Sequence, residues 1–184
     1  MNNKRIIFII MALAVAFTSC KKEKESRTII TTIKEPTISK TPLTVGDTVI
    51  IKSFEWGDKV YSAHIERKAN KDVTVKDEDG QKYYDNKVSL RIDGPDGVLF
   101  EKTFIKDDFI SYINTNYIKP GHSALMGIAF NRADKGGNAV FMATVGSPDS
   151  MSDEFMSIQI SVDKSGAMSL IKSQEISDEE MMTE

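Results

Sequence analysis

Hydrophobic and polar residues alternate along most of the chain after residue 47, a pattern typical of strands with one buried face. In the last clear example, every second residue from Met156 to Val162 is apolar. Four segments show the alternation best: VYSAHIER (60–67), KVSLRID (87–93), AVFMATV (139–145) and FMSIQISV (155–162). The pattern predicts a domain of antiparallel strands.

Turn sequences separate these segments. Asp and Asn hydrogen-bond to their own backbone, and Gly tolerates a positive φ, so both favour tight connections. The turns are DEDG (77–80), DGPDG (93–97), DKGGN (134–138) and DKSG (163–166). Together the alternating segments and the turn sequences predict about eight or nine strands between residues 47 and 173.

One segment, KDDFISYI (106–113), has the spacing of a helix, with Phe109, Tyr112 and Ile113 on one side. Asp107 and Asp108 suit a helix N-terminus, where carboxylates meet unpaired amides and the positive end of the dipole. We therefore expect an all-β fold, a single antiparallel β-sandwich or small β-barrel with one short helix. An α+β fold is the alternative if that helix packs across one sheet face.

The first 19 residues have the features of a secretory signal peptide. Lys4 and Arg5 precede an uncharged apolar run of twelve residues, from Ile6 to Phe17, and Thr18 and Ser19 follow. This run is shorter than the ~20 apolar residues needed to cross a bilayer.

The sequence FTSC (17–20) resembles the lipobox of bacterial lipoproteins, in which an apolar residue and two small residues precede a cysteine. That resemblance implies that Cys20, the only cysteine of the chain, carries lipid and becomes the first residue of the mature protein. The acyl chains would anchor the protein to a membrane. The alternative is an ordinary secreted protein with an incidental cysteine. With its thiol consumed, the mature chain could form no disulfide and no cysteine-based site.

The remaining chain divides into three parts. We predict a lipidated cysteine followed by a flexible tether in residues 20–46 and the β-domain in residues 47–173. An acidic, disordered tail is predicted for residues 174–184. Within the tether, Ile29, Ile30 and Ile33 are the basis for an alternative, a first edge strand. The run KKEKE (21–25) resembles the signal that sends Bacteroidota lipoproteins to the outer face of the outer membrane. A solvated spacer explains it equally well, so we expect outer-membrane anchoring with either orientation.

Net charge argues against nucleic acid as a partner. The chain has 24 basic and 27 acidic residues, and loss of Lys4 and Arg5 with the signal leaves 22 against 27, a net charge near −5. Nucleic-acid binders instead carry basic patches.

Candidate catalytic groups are few. The chain has two histidines, His64 on the polar face of a predicted strand and His122 beside Ser123 in a loop. Adjacency in sequence does not align a base with a nucleophile. No zinc site is predicted, and the loop around Gly80 fails the EF-hand pattern because Val75 and Asn86 stand where acidic residues are needed. We expect no cofactor or metal.

Aromatic residues near turns offer one candidate binding surface. Trp56, Tyr61, Tyr83 and Tyr84 lie at the ends of predicted strands. Aromatic side chains at loop ends suit ligand and sugar recognition because they combine a flat apolar face with a polar tip. Packing in the core, or as a lid on a barrel end, is the alternative for all four.

Three stretches carry a resemblance to a known family: DEDGQKYYDNKVSLRI, GVLFEKTFIKDDFISYI and SPDSMSDEFMSIQISVDKSGAM. From about Trp56 to Ser173 the chain resembles an uncharacterised family of Bacteroidota lipoproteins, domain of unknown function 4738. The resemblance implies an envelope lipoprotein and brings no activity and no site residues.

Together these features predict a membrane-anchored envelope lipoprotein that acts as a non-enzymatic binding or scaffolding module, with a protein or a glycan as partner. The alternative is a hydrolase that uses His122 or carboxylates brought together by the fold.

Overall fold

The computed structural model describes residues 38–134 and 137–172, which form eight strands in two four-stranded antiparallel sheets. The first sheet has the order β1-β2-β3-β4 and the second β5-β6-β7-β8. The strands are β1 Thr48–Trp56, β2 Lys59–Lys76, β3 Lys82–Gly94, β4 Gly97–Phe104, β5 Ala124–Ala133, β6 Ala139–Gly146, β7 Phe155–Val162 and β8 Met168–Lys172. The predicted all-β antiparallel fold is confirmed, and of the two forms left open, sandwich and small barrel, the structure is a sandwich. No helix in this part of the chain is long and apolar enough to cross a membrane.

Every strand pairs with its sequence neighbour within its own sheet, so each sheet is a simple meander. The four predicted turn sequences connect successive strands. In three of them the chain needs a positive φ that glycine adopts without strain, at Gly80 with φ 85°, Gly97 with φ 119° and Gly166 with φ 83°.

The apolar positions of the alternating segments form the core between the two sheets. Val88, Leu90 and Ile92 of β3 and Phe141 and Ala143 of β6 are fully buried in one apolar cluster between the sheets. Each large aliphatic or aromatic side chain buried in this way contributes roughly 1.5–3 kcal/mol relative to exposure.

A buried polar junction joins the two sheets at one place. The Oδ1 atom of Asp85, on β3, accepts hydrogen bonds from the amides of Asn86 (2.7 Å) and of Leu125 on β5 (2.9 Å). The Asn86 side-chain amide donates in return to the Leu125 carbonyl at 2.9 Å. The backbone amide and the backbone carbonyl of Leu125 are therefore both bound by side chains of β3.

Lys106 completes this junction from the segment between the sheets. Its ammonium lies 3.4 Å from Asp85 Oδ2 and donates to the carbonyls of Pro120 (2.7 Å) and Ser123 (2.8 Å). Because the Lys106 and Asp85 side chains are only 9% and 4% exposed, each charge depends on the other for neutralisation. We name the group of Asp85, Asn86, Lys106 and Leu125 the polar junction.

Arg67 of β2 makes a second link between the sheets. Its guanidinium donates to the carbonyl of Met126 on β5, to Gly46 O at 3.0 Å and to Thr48 Oγ1 at 3.1 Å. The chain entering β1 is thereby fixed to both sheets.

The predicted helix forms over Lys106–Tyr112 as a 3-10 helix, and a further 3-10 turn follows at Pro120–His122. Short connectors commonly take this tighter form. Asp108 acts at its start as expected, with Oδ2 accepting from the Ile105 amide at 2.9 Å. Phe109 is fully buried and stacks on Phe104 with ring centroids 5.5 Å apart.

The predicted signal peptide and acidic tail lie outside the described residues, as does most of the predicted tether. Residues 38–46 are described, and within them Leu43 forms an isolated parallel bridge to Tyr83 of β3. The Ser39 amide donates to Gln81 Oε1 at 2.6 Å. The domain boundaries stay predictions.

The polar junction makes a strong prediction for stability. The substitution Lys106→Ala leaves the Asp85 charge and two carbonyls without their partner, and it should lower the free energy of unfolding by about 3–5 kcal/mol. Urea denaturation of the purified domain measures this.

The matched control is Lys59→Ala, since Lys59 pairs with Asp96 at 3.3 Å where both side chains are mostly exposed. Such a surface pair should contribute less than about 1 kcal/mol. Equal effects of the two substitutions would contradict the assignment of the junction as a structural determinant.

Candidate functional site

Two of the four aromatic residues of the predicted binding surface belong to the core, at the β1–β2 end of the first sheet. Trp56 is 1% exposed and its indole N–H donates to the Gly137 carbonyl at 3.2 Å. Tyr61 is half-buried, with its ring 5.1 Å from Trp56 and 6.0 Å from Phe54. The face of Trp56 is therefore covered by protein in this structure.

The other two aromatic residues lie at the opposite end of the same sheet. Tyr83 and Tyr84 are the second and third residues of β3, close to the β2–β3 turn, and both are half-buried. Because the β1–β2 and β2–β3 turns lie at opposite ends of a meander, the four aromatics do not converge on one surface. Their role in ligand binding stays a prediction.

A cleft of about 300 Å³ lies beside Tyr83, between the β2–β3 turn and the β6–β7 loop. Burial raises the pKa of the Tyr83 phenol, and the carboxylates of Asp77 and Asp149 raise it further. Tyr83 thus stays protonated and able to donate a hydrogen bond. The carboxylates lining the cleft are Asp77, Glu78, Asp79, Asp149, Asp153 and Glu154.

This acidic cleft was not predicted from the sequence. Its two acidic segments, DEDG and SPDSMSDE, begin at positions 77 and 147, 70 residues apart, and only the fold brings them together. Among residues 38–134 and 137–172, no three acidic or histidine side chains are arranged to hold a metal ion. The cleft therefore brings six carboxylates together and presents negative charge to solvent.

His64 lies on the polar face of the first sheet, as predicted, next to Ser62 and Asp93. Its Nε2 atom is 3.4 Å from Ser62 Oγ and 3.4 Å from Asp93 Oδ2. A catalytic triad instead uses the two ring nitrogens separately, one for the carboxylate and one for the nucleophile. One nitrogen facing both groups cannot relay a proton between them.

Asp93 is fixed by Arg91 more than by His64. The guanidinium contacts both carboxylate oxygens, at 2.7 Å from Nη2 to Oδ1 and 3.1 Å from Nε to Oδ2. This hydrogen bonding, and secondarily the charges of Arg91 and His64, holds the pKa of Asp93 below its usual value. Asp93 is therefore an ionised acceptor at physiological pH.

His122 is exposed and ends the Pro120–His122 turn. Its neighbour Ser123 is buried, and the Ser123 hydroxyl points to Pro120 O at 3.5 Å. Within the described part of the chain, the His122 side chain has no hydrogen bond to a hydroxyl or a carboxylate. The geometry gives no support to a nucleophile–base pair at this position.

The Arg91–Asp93 pair predicts a specific acid titration. Because the folded pKa of Asp93 is lowered, its stabilising effect is present above the unfolded pKa and is lost as pH falls through the folded pKa. Carboxyl NMR should find the Asp93 midpoint below the usual ~3.9. Arg91→Gln should raise it, whereas Lys59→Gln, which removes the partner of Asp96, should leave Asp93 unchanged. A wild-type midpoint at or above the usual value would contradict the assignment.

Comparison with known proteins gives a family and no activity. A search of curated proteins found no match. The family model described as a domain of unknown function, DUF4738, matches residues 29–170, which includes every strand from β1 to β7 and most of β8. The match confirms the family resemblance inferred from the strand and turn segments, and it extends that resemblance to residues ahead of Trp56. The chain therefore belongs to the DUF4738 family.

Proposed function

We propose that this protein is a lipid-anchored component of the bacterial cell envelope, and that its sandwich domain is a non-enzymatic binding or scaffolding module. The observation that carries the proposal is the apolar run that ends in FTSC, with Cys20 as the only cysteine of the chain. Each buried methylene of an acyl chain contributes ~0.8 kcal/mol, so two or more chains on Cys20 would hold the protein stably on a membrane.

The geometry of the polar groups favours binding over catalysis. His64 faces Ser62 and Asp93 through one nitrogen, and His122 lies exposed on a turn. The hydrolase alternative would need a base in reach of a nucleophile and a third group that orients the base. Neither histidine meets that requirement among the described residues.

The partner is a protein or a glycan, and the outer membrane is the proposed site of anchoring. Protease treatment of intact cells decides the orientation. Loss of the full-length protein in intact cells would mean that the domain faces outward and meets external partners. Survival until the cells are permeabilised would mean a periplasmic domain.

Lipidation predicts a simple chemical result. In bacteria that process lipoproteins, the mature chain should begin at Cys20 and carry a diacylglycerol thioether, detected by mass spectrometry and by incorporation of an alkyne fatty acid. Cys20→Ala should abolish essentially all labelling and move the protein out of the outer-membrane fraction, because no thiol remains to accept lipid.

The matched control is Ser19→Ala, which keeps a small residue directly before the cysteine and should be labelled like the wild type. A wild-type chain that carries no lipid, or a Cys20→Ala chain that is still labelled, would overturn the anchoring proposal.

A further inference from the structure

The outer edge of β1 exposes an unusual apolar stretch. β1 is the first strand in the order of its sheet, so its outer edge pairs with no other strand among the described residues. Val49, Ile50 and Ile51 are consecutive and are 65%, 45% and 63% exposed. An exposed edge strand with apolar side chains is a template for pairing with another strand.

The other three sheet edges are protected. At the β4 edge, the β7–β8 turn comes so close that a Cβ at Gly166 would lie 2.6 Å from Leu99 O. β5 carries two register irregularities, at Leu125/Gly127 and Phe130/Arg132, and β8 has only five residues. Covering, bulges and short length are the usual means of blocking edge pairing. β1 has nine residues and pairs regularly with β2, and in the described part of the chain it has none of these protections.

The hairpin geometry determines which backbone groups are free on β1. Trp56 pairs with Lys59 across the two-residue loop Gly57–Asp58, which makes them a hydrogen-bonded pair. Since hydrogen-bonded positions alternate, the amide and carbonyl groups of Val49, Ile51 and Ser53 point away from β2. These groups form the row available to a further strand.

We propose that β1 pairs antiparallel with β1 of a second copy of this chain, about a two-fold axis at Ile50. In this register Val49 faces Ile51 of the second copy, and Ile51 faces its Val49, as hydrogen-bonded pairs. Ile50 faces Ile50 of the second copy. All three exposed β-branched residues are thereby paired with one another, an arrangement that stabilises neighbouring strands.

Charge selects this register over its neighbour. With the axis at Ile50, Asp47 faces Ser53 and Lys52 faces Thr48, so no like charges are opposed. With the axis at Ile51, Asp47 would face Glu55 and Ile50 would face Lys52, which places acid against acid and an aliphatic residue against an ammonium. Like charges directly opposite in a strand pair are destabilising.

Ile50 gives a second reason for the axis position. It shares the inward face of β1 with buried Phe54 and Trp56, yet it is 45% exposed beside an apolar notch of about 40 Å³. Ile65 and Ile128, both buried, line the same notch. Ile50 of the second copy would meet this notch and remove apolar surface from water. The inference does not depend on lipid at Cys20 or on any ligand.

Cysteine cross-linking of the full chain in detergent micelles tests the register. Opposed residues at Ile50 form a non-hydrogen-bonded pair with Cα atoms about 4.5 Å apart, which suits a disulfide. Ile50→Cys should therefore give a covalent dimer on mild oxidation, seen on a non-reducing gel. Lys52→Cys should not, since the two cysteines would be offset by about 13 Å along the strands. The wild-type chain, oxidised in parallel, controls for Cys20.

The oligomeric state tests the interface itself. Analytical ultracentrifugation of the wild-type chain in detergent should find a concentration-dependent dimer. The double substitution V49K/I51K places lysines on exposed positions of the proposed interface and should raise the dissociation constant at least about tenfold. Val98→Lys, at a 50% exposed position of the opposite edge strand, should leave it unchanged.

Three results would overturn the proposal: a wild-type chain that stays monomeric, a dimer that V49K/I51K does not weaken, or cross-linking through Ile51→Cys instead of Ile50→Cys. If the monomeric chain nevertheless showed slow hydrogen exchange at the Val49 and Ile51 amides, the edge would be covered by another segment of the same chain, such as residues 28–34.

Discussion

The buried charge of Asp85 is the constraint on which the rest of the structure depends. A carboxylate that is 4% exposed is stable only when its oxygens are fully engaged. One oxygen of Asp85 accepts a hydrogen bond from a β5 amide, and the other forms an ion pair with the Lys106 ammonium. Since Lys106 also binds the Pro120 and Ser123 carbonyls, the start of the connection between the sheets is held to its end. Two meanders that could otherwise pack in several ways are fixed in one arrangement, because sliding would leave a charge unpaired in the core.

In a rigid sandwich of this kind, the surfaces available for function are its edges and its ends. The interior is filled by side chains, and the aromatic cluster around Trp56 and Phe54 belongs to that interior. What faces solvent is a polar sheet face with the Arg91–Asp93 pair, an acidic cleft beside Tyr83, and the apolar edge of β1. These are surfaces for association, which agrees with the proposed role as an anchored binding or scaffolding module.

Much of the fold could be predicted from the sequence because its signals are local. Period-two alternation in residues 155–162 and the turn DKSG at 163–166 determine β7 and its connection to β8 without reference to the rest of the chain. The polar junction could not be predicted in this way. Nothing local marks Asp85 or Lys106 as buried, since a charged residue in a strand or at a helix start is usually solvated. The acidic cleft was missed for the same reason, as its two halves meet only in the folded chain. The aromatics near turns were ambiguous between binding and packing, and the structure buries Trp56 with its indole N–H satisfied by Gly137 O.

Native-state hydrogen exchange at the Leu125 amide tests most directly whether the polar junction unites the two sheets. This amide donates across the sheets to Asp85 Oδ1, so it can exchange only when the junction opens. If the two sheets form one cooperative unit, Leu125 should exchange with the same free energy as the central amides of β3 and β6, equal to that of global unfolding. Exchange of Leu125 at a clearly lower free energy, with β3 and β6 still protected, would show that the sheets separate without unfolding and would contradict the central role given to Asp85.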